Sequence, residues 1–231
     1  MRTITIQGPG KNALGGALME RLHREFEDAG GEPVLLTGEG DAFSAGLNLK
    51  ELLDLDREGM SGFLSLLGDL SGLIFDYPGP VVACVNGHAI AGGLVLALCC
   101  DWRVGTSDPR ARIGLNEVAL GLRFPARLLR MLRYQVPMLD RVALDAGLFA
   151  PADALRLGLL DELADDPLVV AHERLAARAK HPTTGYAAAK ASLRHGVSAS
   201  NAEEEREFLE AVVPAWVAPE IKNRVRAALG K

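Results

Sequence analysis

The sequence predicts an α/β fold that passes into a helical C-terminal region, and three observations carry that prediction. Strand-like and helix-like segments alternate through the first two thirds of the 231 residues, the order expected when helices cover a sheet. From residue 167 onward the pattern becomes wholly helical. Between the two, residues 89–100 form an apolar run, and a helix that is apolar on every side has to be buried.

Residues 2–7 read as a strand and residues 13–29 as an amphipathic helix. In that helix Leu14, Leu18, Leu22 and Phe26 recur every four positions while Glu20, Arg21, Arg24 and Glu25 lie elsewhere, a stripe that packs on a sheet and has no cofactor role. A buried strand at 33–37, a helix at 60–75 and a strand at 81–86 continue the alternation. A boundary near residue 165 divides the chain into a core, 1–165, and a helical region, 166–231. Helices are predicted there at 172–180, 183–195, 202–213 and 220–229, separated by Pro182, Gly196 and Pro214. Apolar positions such as Phe208, Leu209, Val212, Val213 and Trp216 are expected to cover the core, another subunit, or both.

Composition excludes several classes. Thirty acidic against 25 basic residues give a net charge of −5 and a pI near 5.6, which argues against a nucleic-acid surface built on phosphate neutralisation. Cys84, Cys99 and Cys100 lie in apolar runs without ligand spacing, so neither a disulfide framework nor a metal site is expected, and the compartment should be reducing. The apolar run at 89–100 falls short of the ~20 residues a membrane helix needs. No secretory pattern opens the sequence, and a cytoplasmic location is expected.

Three segments depart from what a packed core requires. In GEGDAFSAGLNLK (38–50) a strand ends in a glycine-rich loop before a helix at 49–55, where backbone can approach a ligand and amides are free to donate. In VNGHAIAGGLVLALCCD (85–101) a strand turns through small residues into the buried helix, leaving N–H groups near Gly92 at its positive end, suited to a developing negative charge. The spacing matches neither GxxxxGK nor GxGxxG, which disfavours a nucleotide-phosphate loop. In ARIGLNEVALGLRFP (111–125), Glu117 is the only carboxylate between Asp108 and Asp140 and has apolar neighbours.

Taken together, FSAGLNLKEL, VNGHAIAGGLVLALCCDWRV and IGLNEVALGL resemble the successive motifs of the crotonase superfamily, which includes enoyl-CoA hydratases and isomerases, and KNALGGALMERL looks like its first helix. The resemblance implies a spiral of ββα units that holds an acyl-CoA thioester, followed by a C-terminal helical region mediating trimer or hexamer assembly. It implies an oxyanion hole from the backbone amides of Leu47 and Gly92. It also places Ala45, Gly46, Asn48, Lys50, His88, Gly93 and Val95 against the substrate. Removing a proton beside a thioester puts charge on the carbonyl oxygen, and each fixed donor at that oxygen is worth roughly 3–4 kcal/mol of barrier. Coenzyme A enters only as part of the substrate; no separate cofactor or metal is implied.

Hydratases of the superfamily use two glutamates, one matching Glu117 and one three residues after the second oxyanion-hole glycine, where this chain has Val95. Valine neither accepts a proton nor orients water. The pattern resembles Δ3,Δ2-enoyl-CoA isomerases, in which one carboxylate takes the C2 proton and returns it at C4. Leu115, Val118 and Leu120 would desolvate Glu117 and raise its pKa. The alternatives are a hydratase, hydrolase or decarboxylase that draws a second polar group from 51–57, from His88 or from the arginines at 123, 127, 130 and 133, or a non-catalytic acyl-CoA-binding or scaffolding subunit. Those arginines read either as a solvated face or as attraction for CoA phosphates. Asn48 stands where many members have Asp, and Ser44 lacks the neighbours of a nucleophile.

Overall fold

The computed structural model describes residues 1–230; Lys231, the last residue of the predicted helical region, lies outside the described residues. The chain opens with β1 (Arg2–Ile6), a one-turn segment α1 (Pro9–Asn12) and α2 (Gly16–Ala29). Three ββα passages follow. The first comprises β2 (Val34–Gly38), β3 (Ala42–Ser44), α3 (Leu49–Asp54) and α4 (Arg57–Asp76). The second comprises β4 (Val81–Val85), β5 (His88–Ile90) and α5 (Gly92–Cys99), and the third β6 (Trp102–Thr106), β7 (Ile113–Gly114) and α6 (Glu117–Leu120). Helices α7 (Ala126–Gln135), α8 (Leu139–Asp145) and α9 (Pro151–Arg156) lead to β8 (Glu162–Ala164). The C-terminal helices are α10 (Pro167–Ala179), α11 (Thr183–Leu193), α12 (Ala202–Glu207), α13 (Val213–Val217) and α14 (Pro219–Ala228).

In each passage the first strand joins a five-stranded parallel sheet, ordered β1-β2-β4-β6-β8, and the second joins a three-stranded parallel sheet, ordered β3-β5-β7. Alternation along the large-sheet strands sends side chains to two different cores. Val34, Leu36, Val81, Ala83 and Val85 enter the main core, while Leu35, Val82, Cys84 and Val104 meet Ala171 and Leu175 of α10 on the opposite face. Burial on both faces explains why 81–85 reads as an unbroken apolar run.

The predicted boundary near 165 falls between β8 and α10, yet the helices beyond it do not form a core of their own: Val212, Val213, Trp216, Ile221 and Val225 belong to the same cluster as the sheet. The helix predicted at 202–213 is interrupted by a π-helical turn (Phe208–Val212) that meets α13 just before Pro214. Proline inside a helix lacks the N–H that a regular turn requires. The helix predicted from residue 13 starts at Gly16, because Leu14 is drawn into a parallel bridge with Leu47. Among the described residues, no helix is long and apolar enough to cross a membrane, and no cluster of three metal-ligating side chains occurs.

One buried carboxylate fastens α11 to the end of α5. Asp101 Oδ1 lies 2.8 Å from Lys190 Nζ and 2.9 Å from Arg194 Nη2, and Oδ2 accepts from Tyr186 OH at 2.9 Å and Val81 N at 2.8 Å. Burial pushes the Lys190 ammonium down from its ordinary range, and Asp101 opposes that shift. Removing one partner of such a cluster leaves uncompensated buried charge, at a cost of about 3–5 kcal/mol. Asp101→Asn is expected to lower the melting temperature by on the order of 10 °C, which differential scanning calorimetry measures directly.

Candidate active site

A cavity of about 80 Å³ lies between the turns that begin α3 and α5, the helices α4, α6 and α7, and Trp216 of α13. Its wall includes Ala45, Leu47, Gly92, Val95 and Glu117, and every other lining residue is apolar except Asn116 and the Trp216 indole. The indole Nε1 is already committed, donating to Arg123 O at 2.7 Å.

Strand-like pairing aims the first of two free amides. Leu14 N donates to Gly46 O at 2.8 Å and Asn48 N to Leu14 O at 2.9 Å. In a parallel bridge alternate residues bond to the same side, so the intervening Leu47 N–H faces away from Leu14. It has no protein acceptor among the described residues. The second free amide, Gly92 N–H, is at the first position of α5, where the helix offers no acceptor; Val95 N is the first to find one, Ala91 O at 3.0 Å. The turn is strained at Ala91, which holds φ 51° and ψ −126°, a conformation costing on the order of 1–3 kcal/mol. Its N–H is clamped to Gly114 O at 2.9 Å.

Only glycine lets these two turns meet. Gly46 has φ +89°, and a Cβ there would stand 2.8 Å from Ile90 O and 3.4 Å from Gly92 N. A Cβ on Gly93 would stand 2.4 Å from Ser44 O. The Ser44 hydroxyl donates to Asn12 O at 2.8 Å and accepts from Gly46 N at 3.2 Å, so it shapes the loop.

On the same cavity, Glu117 begins the single turn of α6, which closes through Leu122 N donating to Glu117 O at 3.0 Å and Gly121 at φ +76°. The side chain is buried, and its Oε2 has no hydrogen-bond partner among the described residues. Loss of water raises its pKa to about 7, an effect its own backbone amide partly offsets. Among the described residues Glu117 is the only ionisable one on the cavity wall, which Val95, 1% exposed, also lines.

Several predicted residues stand elsewhere. His88 lines a separate cleft with Asp41, Asn86 and Asp108, and its Nδ1 accepts from Arg112 N at 3.1 Å; it does not line the cavity, although Ile90 at the other end of β5 does. Lys50 is exposed on α3 and Asn48 precedes it, its Nδ2 3.4 Å from Glu51 Oε2; neither lines the cavity. Gly46 and Gly93 support the turns through backbone contact instead of lining the wall. Glu51 Oε1 accepts from Gly16 N at 3.0 Å and serves the start of α2. Arg127 binds Asp69 at 2.8 Å and Ser198 O at 2.6 Å, Arg130 holds Glu204 and Val197 O, and Arg133 pairs with Asp140. Within the arginine stretch Arg127 and Arg130 pin the segment before α12, while Arg123 and Arg133 are exposed to solvent. Sequence reasoning missed Leu64, Leu67, Phe124 and Trp216 as cavity residues; only Trp216 gave a signal, as part of an apolar face that had to cover something.

Two sheets built strand by strand from ββα passages, with a buried carboxylate sharing one cavity with two free amides, define a crotonase-superfamily protein. Residues 1–218 match the family model described as Enoyl-CoA hydratase/isomerase, and the chain belongs to that family. It is 34% identical over 163 residues to a probable enoyl-CoA hydratase of Bacillus subtilis (strain 168), covering 63% of this chain and 62% of that protein. It is 34% identical over 154 residues to the mitochondrial enoyl-CoA delta isomerase 1 of Mus musculus, covering 65% of this chain and 52% of that protein. The chain thus spans between half and two thirds of the length of these relatives. The crystal structure of human mitochondrial delta3-delta2-enoyl-CoA isomerase shares the fold, with a TM-score of 0.92 at 24% identity over 99% of this chain and 92% of that one.

The raised pKa of Glu117 has a consequence for stability. Between its ordinary value of 4.5 and about 7, the folded protein binds a proton that the unfolded chain releases, so stability falls as pH rises through that window and levels off above it. Glu117→Gln removes the penalty and is expected to raise stability by roughly 2–3 kcal/mol at pH 8 relative to wild type, with little difference at pH 4.5. Urea denaturation at the two pH values checks this.

Proposed function

We propose that this protein isomerises 3-enoyl-CoA thioesters to 2-enoyl-CoA thioesters, with Glu117 as the single proton carrier. The observation that carries the reading is the solitary carboxylate: Glu117 faces the cavity alone, and the chain puts Val95 where hydration would need a second acid. None of the other sources of a second group reaches the wall, since Glu51, His88 and the arginines of α7 are engaged elsewhere.

The Glu117 carboxylate removes a proton from C2, and the electron pair of that C–H bond delocalises through the C3–C4 double bond and the thioester carbonyl. The charge gathers on the carbonyl oxygen, where the N–H groups of Leu47 and Gly92 donate to it. The positive end of α5 adds to their effect. Protonated Glu117 then returns its proton at C4, the double bond settles between C2 and C3, and the carboxylate is regenerated. A base with a pKa of about 7 is matched to neutral pH, strong enough to take the proton and acidic enough to give it back.

Mass-resolved analysis in water enriched in heavy oxygen should show a shifted double bond without oxygen uptake. Glu117→Gln should lower kcat by at least about 100-fold while retaining acyl-CoA binding, and wild-type activity should rise through a single ionisation near pH 7 to a plateau. Oxygen in the product, or full turnover by the variant, would overturn the reading.

We further propose a homotrimeric or hexameric assembly. Val118 and Leu144 share a groove with Phe124 and Leu129, and Leu144 is 71% exposed, more apolar surface than an isolated subunit gains from. Light scattering should give a mass of three or six chains, and Leu144→Asp should shift it towards one.

A further inference from the structure

Two spaces in the molecule share one wall. The reaction cavity, at about 80 Å³, is about half of the ~150 Å³ that accommodates a benzene molecule. It therefore takes on the order of three or four carbon atoms beyond the thioester carbonyl. Beside it lies a second, open cleft of about 340 Å³, between α4, the start of α7 and the Ser200–Leu209 stretch. Leu64, Pro125 and Leu128 line both.

Helical spacing puts Leu64 on both sides at once. On α4, Ser61, Leu64, Ser65 and Gly68 face the cleft, whereas Leu64 and Leu67 face the cavity, as expected of neighbours three and four apart. Leu64 is 1% and Leu128 2% exposed, so both sit tightly in the partition. Phe208 and Leu209 give the cleft apolar surface, beside Ser200, Glu204, Glu205 and the Asp69–Arg127 ion pair. Pro125 caps α7 and cannot be shortened without changing the start of that helix. The two leucines are thus the side chains whose size closes the passage.

We propose that Leu64 and Leu128 restrict the substrate to short acyl groups, of about four to six carbons, and that shortening either side chain admits longer chains into the neighbouring cleft. This rests on the reading that the Glu117 cavity takes an acyl thioester. A longer chain has to displace packed side chains of the partition, and overpacking of that kind is unfavourable.

The test measures kcat/KM of the full-length protein for straight-chain 3-enoyl-CoA thioesters of four, six, eight and ten carbons. Calorimetric Kd values for saturated acyl-CoA thioesters of the same lengths accompany it. The wild type is expected to lose at least tenfold in both quantities between six and ten carbons. Leu64→Ala and Leu128→Ala are each expected to raise the ten-to-six ratio at least tenfold, with Leu128→Val as the milder change should either alanine variant fail to fold. A wild type that takes ten carbons as well as six, or folded variants that leave the ratio unchanged, would overturn the length limit. The two readings fail separately. Absence of turnover with the chain-length step still present in Kd would remove the isomerase reading and keep the limit; turnover with no step would do the reverse.

Discussion

Backbone lies against backbone where the turn at Ser44–Gly46 meets the turn at Ala91–Gly93, and no side chain fits between them. A Cβ on Gly93 would fall 2.4 Å from Ser44 O, well inside van der Waals contact, so the approach is available only to a chain with glycine at these positions. Everything around the cavity follows from that contact. It brings the free N–H of Leu47 and the first N–H of α5 to one wall, and the strain at Ala91 is held by hydrogen bonds at both of its peptide groups. The large parallel sheet fixes where β2 and β4 end, the small sheet fixes how the chain leaves them, and the Asp101 cluster anchors the far end of α5.

The second element of the site works against stability. A carboxylate whose Oε2 has no partner, in a wall that is otherwise nearly all apolar, is placed where folding would favour a neutral side chain. The same desolvation brings its pKa up to about 7, which is what the proposed function asks of a proton carrier at neutral pH. Val95 puts an apolar side chain beside it, and under the proposed function the lack of a second acid there suits the pocket to moving a proton along a chain. Trp216 completes the enclosure from a helix 99 residues beyond Glu117 in sequence. The helical region is therefore part of the site as well as of the core.

The sequence made the candidate site more legible than the architecture. Leu47, Gly92, Glu117 and Val95 lie in contiguous motifs, and the structure places all four around one cavity. The long helices and the large-sheet strands showed through their periodicity. Strands β3, β5 and β7 did not, because two or three residues hold too little alternation to register. The start of α2 at Gly16 escaped because the bridge from Leu14 to Leu47 is a contact between segments, invisible in a local window. The partners of His88 and of the arginines at 127 and 130 were hidden for the same reason: neighbours in sequence say nothing about the backbone amide that His88 accepts from or the carbonyls that the arginines donate to in space.

The central claim, that one carboxylate carries a proton from C2 to C4, is tested most directly by the fate of label placed on the substrate. A 3-enoyl-CoA thioester deuterated at C2 would be converted in ordinary water over a single turnover, and the product examined for deuterium at C4. A lone, desolvated Glu117 predicts that a measurable share of the label arrives at C4 of the same molecule, since the acid that returns the proton is the one that took it. Complete loss of the label to solvent, with oxygen from water passing through the product, would contradict the account and require a second group that handles water.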